Sequence, residues 1–330
     1  MNILNYFSAF FQVVKEIRTQ QRFNKDFLVP YLKELEESHK GKFSEEQRFK
    51  IEKYYGLLIG PILCATYKML YGEEFTKEER KRATLFGILT PLGDDLFDVY
   101  NLPIEKITQL TFEPENYQAA LFAEKVVKEI QASLLKVVPH KKEYLAASKD
   151  VLDLQVATAA QTKKNIETTL LEEITFRKGA VSVIIYHQIL NESANEQMLK
   201  VLNEVGGLYQ LGNDLFDVYK DTRDGIQTIP NSCKDFNELK KKFMEKVSYM
   251  NQLIYSLPYE KEKLEKFSII LHSINARSMV AIEEWTAFQD KYGKDVDLKR
   301  FERKALIIDM EKPRLFVRWL YHTWKLPRLQ

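Results

Sequence analysis

Residues 93–100 read Gly-Asp-Asp-Leu-Phe-Asp-Val-Tyr, and residues 212–219 read Gly-Asn-Asp-Leu-Phe-Asp-Val-Tyr. The two phrases agree at seven of eight places across an offset of 119, while their flanks differ. This is one local solution used twice, not a tandem repeat. On a helix Asp94 and Asp98 share a face, with Asp95 about 100° round the axis. In the second copy Asn213, Asp217 and Asp221 recur every fourth residue, a stripe drifting about 40° per step over roughly 12 Å. The preceding residues are apolar: Leu85, Phe86, Ile88, Leu89 and Leu92 in one case, Leu208, Tyr209 and Leu211 in the other. Carboxylates on such helices face an interior or a cavity unless the polar stripe is narrow and outward. Inside, they require a counter-ion, because unpaired buried charge costs several kcal/mol or more. Oxygen donors without His or Cys select a hard cation, and Mg²⁺ commonly takes one or two carboxylates together with substrate phosphates. Asp94, Asp98, Asn213, Asp217 and Asp221 are therefore the expected metal ligands, with Asp95 beside them in the first cluster. The bland alternative is a solvated acidic face.

These residues need long helices to carry them, and the composition supplies helices. Gly 12 and Pro 10 in 330 residues are too few for a β-sandwich or barrel, which needs a turn roughly every 8–12 positions. At 45% hydrophobic and 12% aromatic, the chain is neither disordered nor low-complexity. Nearly every segment has a period near 3.6. Ser44 with Gln47, and Thr76 with Glu79, form capping boxes. Helices are expected at 4–22, 24–38, 44–71, 76–100, 103–111, 115–136, 141–164, 166–192, 195–222, 235–255, 258–292 and 297–324. No linker rich in Ser, Gly or Pro divides the chain, so one all-α domain over 1–330 is expected.

The remaining features exclude more than they assign. Forty-nine basic residues against 47 acidic, +2 with His neutral, do not make a nucleic-acid binder. Cys64 and Cys233 are too few for a disulfide framework, and five scattered histidines offer no zinc spacing. The start, MNILNYFSAFFQVVKEIR, lacks the basic region and cleavage site of a secretory signal. The apolar run from Gly56 to Tyr67 is too short to span a bilayer. A soluble cytoplasmic protein is the expectation. At the C-terminal end Arg314, Arg318, Lys325 and Arg328 alternate with Phe316, Trp319, Tyr321 and Trp324. That pattern suits either a final packed helix or a peripheral contact with the inner face of the membrane.

The paired acidic phrases resemble those of the class I isoprenoid synthases, all-α bundles that ionise prenyl diphosphates. Asp94-Asp95-Leu96-Phe97-Asp98 is similar to the first aspartate-rich motif, DDxxD. Asn213, Asp217 and Asp221 fit the second motif in its NxxxDxxxD form. Residues 222–230 resemble the segment that follows that motif in squalene and phytoene synthases. The same stretch also resembles the NSE motif of terpene cyclases. The specific matches cover about forty residues. The resemblance implies a helical bundle around a central apolar cavity and three Mg²⁺ ions, for which Mn²⁺ can substitute. Arg177 and Lys178, ahead of Gly179, resemble the diphosphate-sensing basic residue and helix break of terpene cyclases, and Arg223 lies within reach of the second stripe. Three departures from the families' patterns matter. No Arg-Arg pair follows Asp98, which counts against chain elongation, and residues 174–183 lack the tyrosine-rich segment of squalene synthases. Arg300 is followed by Phe301 where cyclases often carry an Arg-Tyr clamp.

The expected activity is ionisation of an allylic prenyl diphosphate followed by cyclisation of the carbocation, by a monomer or homodimer. Asp94, Asp95, Asp98, Asn213, Asp217 and Asp221 would be the catalytic set, and Arg177, Lys178 and Arg223 would bind diphosphate. The alternatives are head-to-head condensation and, further off, chain elongation. From other classes come an all-α nucleotide pyrophosphohydrolase, whose carboxylates are typically Glu-rich, and a non-catalytic helical scaffold. Gly179 marks either a close helix crossing or a functional break. Asp214 is a ligand only if the second stretch is read as DDxxD; the NxxxDxxxD reading is preferred, because Asn adds an oxygen without a third charge.

Overall fold

The structure, a computed structural model, describes residues 2–163 and 166–329. Its longer helices are α1 (Ile3–Phe23), α2 (Val29–His39), α3 (Glu45–Phe49), α4 (Gly60–Tyr71), α5 (Lys77–Asp98), α6 (Ile104–Phe112), α7 (Phe122–Val137) and α8 (Lys141–Thr158). They continue with α9 (Thr168–Gln188), α10 (Glu196–Asp224), α11 (Phe236–Tyr255), α12 (Lys261–Tyr292), the single turn α13 (Arg303–Leu306) and α14 (Pro313–Lys325). Among the described residues there is no strand, and the all-α class stands.

The boundaries differ from expectation where side chains hold the backbone in other shapes. The stretch expected as one helix over 44–71 winds as a π-helix from Lys50 to Ile59 before tightening into α4. Asn24 and Gln20, both buried, donate to the Gly56 carbonyl and supply bonds that the wide turn leaves unmade. The helix expected from 115 begins only at Phe122. Glu124 accepts from the Ala120 and Leu121 amides and from the Tyr117 hydroxyl, which fixes 117–121 in a non-helical path. Burial would raise the Glu124 carboxyl, but those bonds hold it below its ordinary value. The last expected helix, 297–324, is broken into pieces, and α14 starts afresh at Pro313, a residue suited to a first turn. The expected helix end at 164 lies outside the described residues.

The chain divides into two compact units. The N-terminal unit comprises Phe10–Leu152 with Ile185–Ala194; the C-terminal unit comprises Met1–Ala9, Asp153–Ile184 and Asn195–Gln330. Each has its own core. In the N-terminal unit Leu32, Leu35, Leu70, Ile88, Leu92 and Ile130 are fully buried. Lys68 is buried there too, neutralised by Glu79 at 3.1 Å and Glu192 at 2.5 Å. In the C-terminal unit α10, α11 and α12 pack together around Val205, Leu208, Val247, Phe267 and Ile282. Trp285 of α12 donates its indole N–H to the Leu215 carbonyl of α10, at the second acidic phrase.

Candidate functional site

Each acidic phrase lies in a different unit, and each sits near the C-terminal end of a long helix. The two copies repeat one inside–outside pattern. At the second position Asp94 and Asn213 are exposed, and at the sixth Asp98 and Asp217 are exposed. At the fourth, Leu96 and Leu215 are buried. At the third, Asp95 is half-buried and Asp214 buried, and each is held by a glutamine amide. Gln47 donates to Asp95 at 2.6 Å, and Gln210 donates to Asp214 at 2.8 Å. The copies diverge most at their ends. Asn101, with φ of +50°, and Pro103 stop α5, leaving Val99 and Tyr100 exposed. Helix α10 runs on to Asp224, burying Val218 and adding Asp221 to its stripe.

In the first copy the capping box of α3 doubles as a support. Gln47 accepts from the Ser44 amide through Oε1 and, through Nε2, reaches Asp95. Lys50, one turn further along and paired with Glu46 at 2.7 Å, feels the negative charge of Asp95 and Asp94. The last turn of α5 contains no basic residue, so its carboxylates stand at the negative end of the helix dipole. Both facts make the end of α5 a place that attracts cations.

In the second copy Asp214 is buried and also accepts from the Thr175 hydroxyl of α9 at 3.3 Å. Burial pushes its pKa up to about 6, against the lowering effect of Gln210, Lys178 and Thr175. Asp221 is half-buried, and desolvation followed by repulsion from Asp214 and Asp217 lifts it to about 7. Partial desolvation also raises Asp217, with Lys220 opposing it. Three carboxylates so close on one helix resist full ionisation unless a cation joins them.

The basic residues expected at the diphosphate separate. Lys178 of α9, half-buried, lies near enough to Asp214 and Asp221 to stabilise both charges. Arg177, beside it, is exposed and pairs with Glu173 at 3.2 Å. Arg223 lies about 160° round α10 from Asp221. Its guanidinium stands over the Tyr219 ring at 5.4 Å and reaches the Phe301 carbonyl at 3.5 Å. With Tyr219, Glu302, Arg303, Lys304 and Ile307 it lines an open pocket of about 550 Å³ on a different side of α10 from the stripe. One cation that the sequence did not single out is near the phrase: Arg277 of α12, exposed, with its guanidinium 4.9 Å from the Phe216 ring centroid. No local pattern marks Arg277, since α12 brings it there from sixty-one residues away. Gln210 was legible, being one helical turn before Asp214.

Gly179 does not break α9, which is continuous through it. Its missing Cβ lets α9 approach Gly206 of α10, and Gly207 accommodates the Phe176 ring in the same way. The aromatic residues near the phrases are packed. Phe86 meets Tyr186 edge-on at 4.8 Å in the N-terminal unit, and Tyr209 donates to the Leu271 carbonyl in the C-terminal unit.

Among the described residues no group of three or more His, Cys, Asp or Glu side chains is placed to hold a metal ion by itself. The donors present are carboxylate and amide oxygens on helix surfaces, a set that fits Mg²⁺ in open sites where substrate oxygens complete the shell. Asp94 and Asp98 would hold it on α5, and Asn213, Asp217 and Asp221 on α10. No family model, curated protein or solved structure matches this chain.

Proposed function

We propose that this protein ionises an allylic prenyl diphosphate with Mg²⁺ and cyclises the resulting carbocation. The observation that carries the reading is the duplicated phrase itself, which keeps exposed oxygen donors and a glutamine-bonded aspartate in both copies. A surface acidic patch has no need of such a repeated local pattern at two sites within one chain. Bound Mg²⁺ supplies the charge that makes diphosphate a competent leaving group.

In this reading Asp94 and Asp98 bind metal in one copy, and Asn213, Asp217 and Asp221 bind metal in the other. Asp95 and Asp214 orient rather than ligate: Gln47 holds one oxygen of Asp95, and Gln210 and Thr175 hold the two oxygens of Asp214. Lys178 contributes positive charge beside the second stripe. Arg177 serves only if its pairing with Glu173 opens, and Arg223 only from the other side of α10. An enclosed apolar pocket is part of the proposal, since water would quench the cation.

The test is incubation with farnesyl, geranylgeranyl and longer prenyl diphosphates plus Mg²⁺, followed by solvent extraction and mass analysis. A cyclic hydrocarbon or alcohol supports the proposal. A head-to-head dimer would reassign the protein as a prenyltransferase. Release of nucleoside monophosphate from nucleotides, with no turnover of prenyl substrates, would defeat the isoprenoid reading.

A further inference from the structure

Helix α14 packs through a mixed face and leaves part of its apolar arc in solvent. Its buried side holds His322 and Thr323 along with Leu315. Arg318 donates to Glu283 and Glu284 of α12, and His322 lies 3.1 Å from Glu283. Trp319 donates to the Ser273 carbonyl at 2.6 Å. Attached through polar groups, the helix leaves Phe316, Val317 and Tyr321 exposed, Val317 at 64%. Helix packing normally buries the apolar stripe and exposes the polar one.

A second apolar surface adjoins it. Tyr6 of α1 is buried, with its ring 5.4 Å from that of Trp324 and its hydroxyl donating to the Leu320 carbonyl. Next to it in the chain Phe7 is 55% exposed, and one turn before Phe7 and Tyr6 stand Ile3 and Leu4, the latter 69% exposed. Exposed large side chains scattered singly need no explanation, but a contiguous group marks an interaction surface.

Charge indicates the partner. Residues 312–329 contain five cations and no carboxylate; Arg314 and Arg318 are neutralised by Glu283 and Glu284 of α12, which leaves Lys312, Lys325 and Arg328 to carry the positive charge. Lys325 lies over the Tyr321 ring at 5.7 Å, and Arg328 over the Trp324 ring at 3.3 Å, so positive charge rims the apolar face. A two-fold dimer through this surface would set the same patch against itself, cations included. Aromatic rings beside lysine and arginine suit the boundary between anionic headgroups and acyl chains. Among the described residues no helix is long and apolar enough to cross a membrane, and this surface needs none.

We infer that the face formed by the start of α1 and the outer side of α14 docks on an anionic lipid bilayer, inserting Leu4, Phe7, Phe316, Val317 and Tyr321 at headgroup depth. The inference is independent of the reaction proposed above. Co-sedimentation with vesicles of phosphatidylcholine, and of an equimolar mixture with phosphatidylglycerol, tests it. The protein should pellet with the mixed vesicles, less with the neutral ones, and less again at high salt. Val317→Glu/Tyr321→Glu and, separately, Leu4→Ser/Phe7→Ser should each lower binding about tenfold or more, with helical content unchanged by circular dichroism. Protein left in the supernatant with mixed vesicles would overturn the inference. So would unaltered binding by both folded variants, or a dimer in light scattering that the same substitutions dissolve while vesicles bind nothing.

Discussion

A Cβ built on Gly179 would stand 1.9 Å from the carbonyl oxygen of Gly206, and one built on Gly206 would stand 2.2 Å from the carbonyl oxygen of Gly179. The backbones of α9 and α10 touch at this crossing. Close contact here places Lys178 beside the carboxylates of α10 and lets Thr175 reach Asp214. Backbone atoms cannot swing aside as a side chain would. Gly179→Ala and Gly206→Ala should therefore each destabilise the protein by about 1–3 kcal/mol or more, read as a lowered midpoint in urea or heat. A midpoint equal to the parent's would mean that the crossing is looser than described.

The first acidic phrase should be indispensable to turnover and nearly irrelevant to folding. Asp94→Ala and Asp98→Ala remove exposed carboxylates, so their melting temperatures should stay close to the parent's. Activity should drop by about two orders of magnitude or more if each is a metal ligand. Turnover that persists after exhaustive chelation, or in these variants, would leave the phrase as a mere surface.

Asp214 and Asp221 should respond in opposite ways. Asp214→Ala strands the Gln210 amide and the Thr175 hydroxyl, costing about 1–3 kcal/mol of stability while activity at low temperature survives. Asn213→Ala, Asp217→Ala and Asp221→Ala should leave stability largely intact and abolish the Mg²⁺ response. Titrating turnover against Mg²⁺ for all four variants decides the matter. An inactive Asp214→Ala beside a near-normal Asp221→Ala would restore the DDxxD reading of the second stretch.

Acid should weaken the C-terminal unit through His272. The ring is buried, its Nε2 lies 2.7 Å from Asn251 Oδ1, and its Nδ1 lies 3.3 Å from Asn275 Nδ2. A neutral ring that donates through Nε2 and accepts through Nδ1 satisfies both. Burial depresses its pKa to about 3, well below the ordinary 6.5. The unfolded chain takes up the proton first, so stability is complete above about pH 6.5 and is lost as pH falls toward 3. Between those limits the group contributes a slope of about 1.4 kcal/mol per pH unit. Buried His187, depressed by desolvation to about 4, adds a similar slope. In urea unfolding at a series of pH values, His272→Leu should therefore lessen the slope by about 1.4 kcal/mol per pH unit and not abolish it.

Much of this protein was legible in the linear sequence because its cause is local. The helical class follows from periodicity and from the scarcity of Gly and Pro. The two capping boxes form as the Ser44/Gln47 and Thr76/Glu79 spacing implies, since each needs only residues three apart. The sharing of a face by Asp94 and Asp98, or by Asn213, Asp217 and Asp221, is helix geometry alone. Tertiary structure decided what depends on a partner distant in the chain. Neither the choice of Gly179 as a crossing nor the burial of Asp214 could be read without α9 lying against α10. The start of α7 waits on the Tyr117 and Glu124 contact, and Pro313 restarts a helix whose buried side is set by Glu283 and Glu284 of α12. Arg177 and Lys178 are adjacent in sequence, yet about 100° of helical rotation sends one to a surface pair with Glu173 and the other toward the acidic stripe. Sequence supplies residue types and their local phase; only packing determines which face of each helix is turned inward, because burial free energy depends on neighbours brought together by the whole chain.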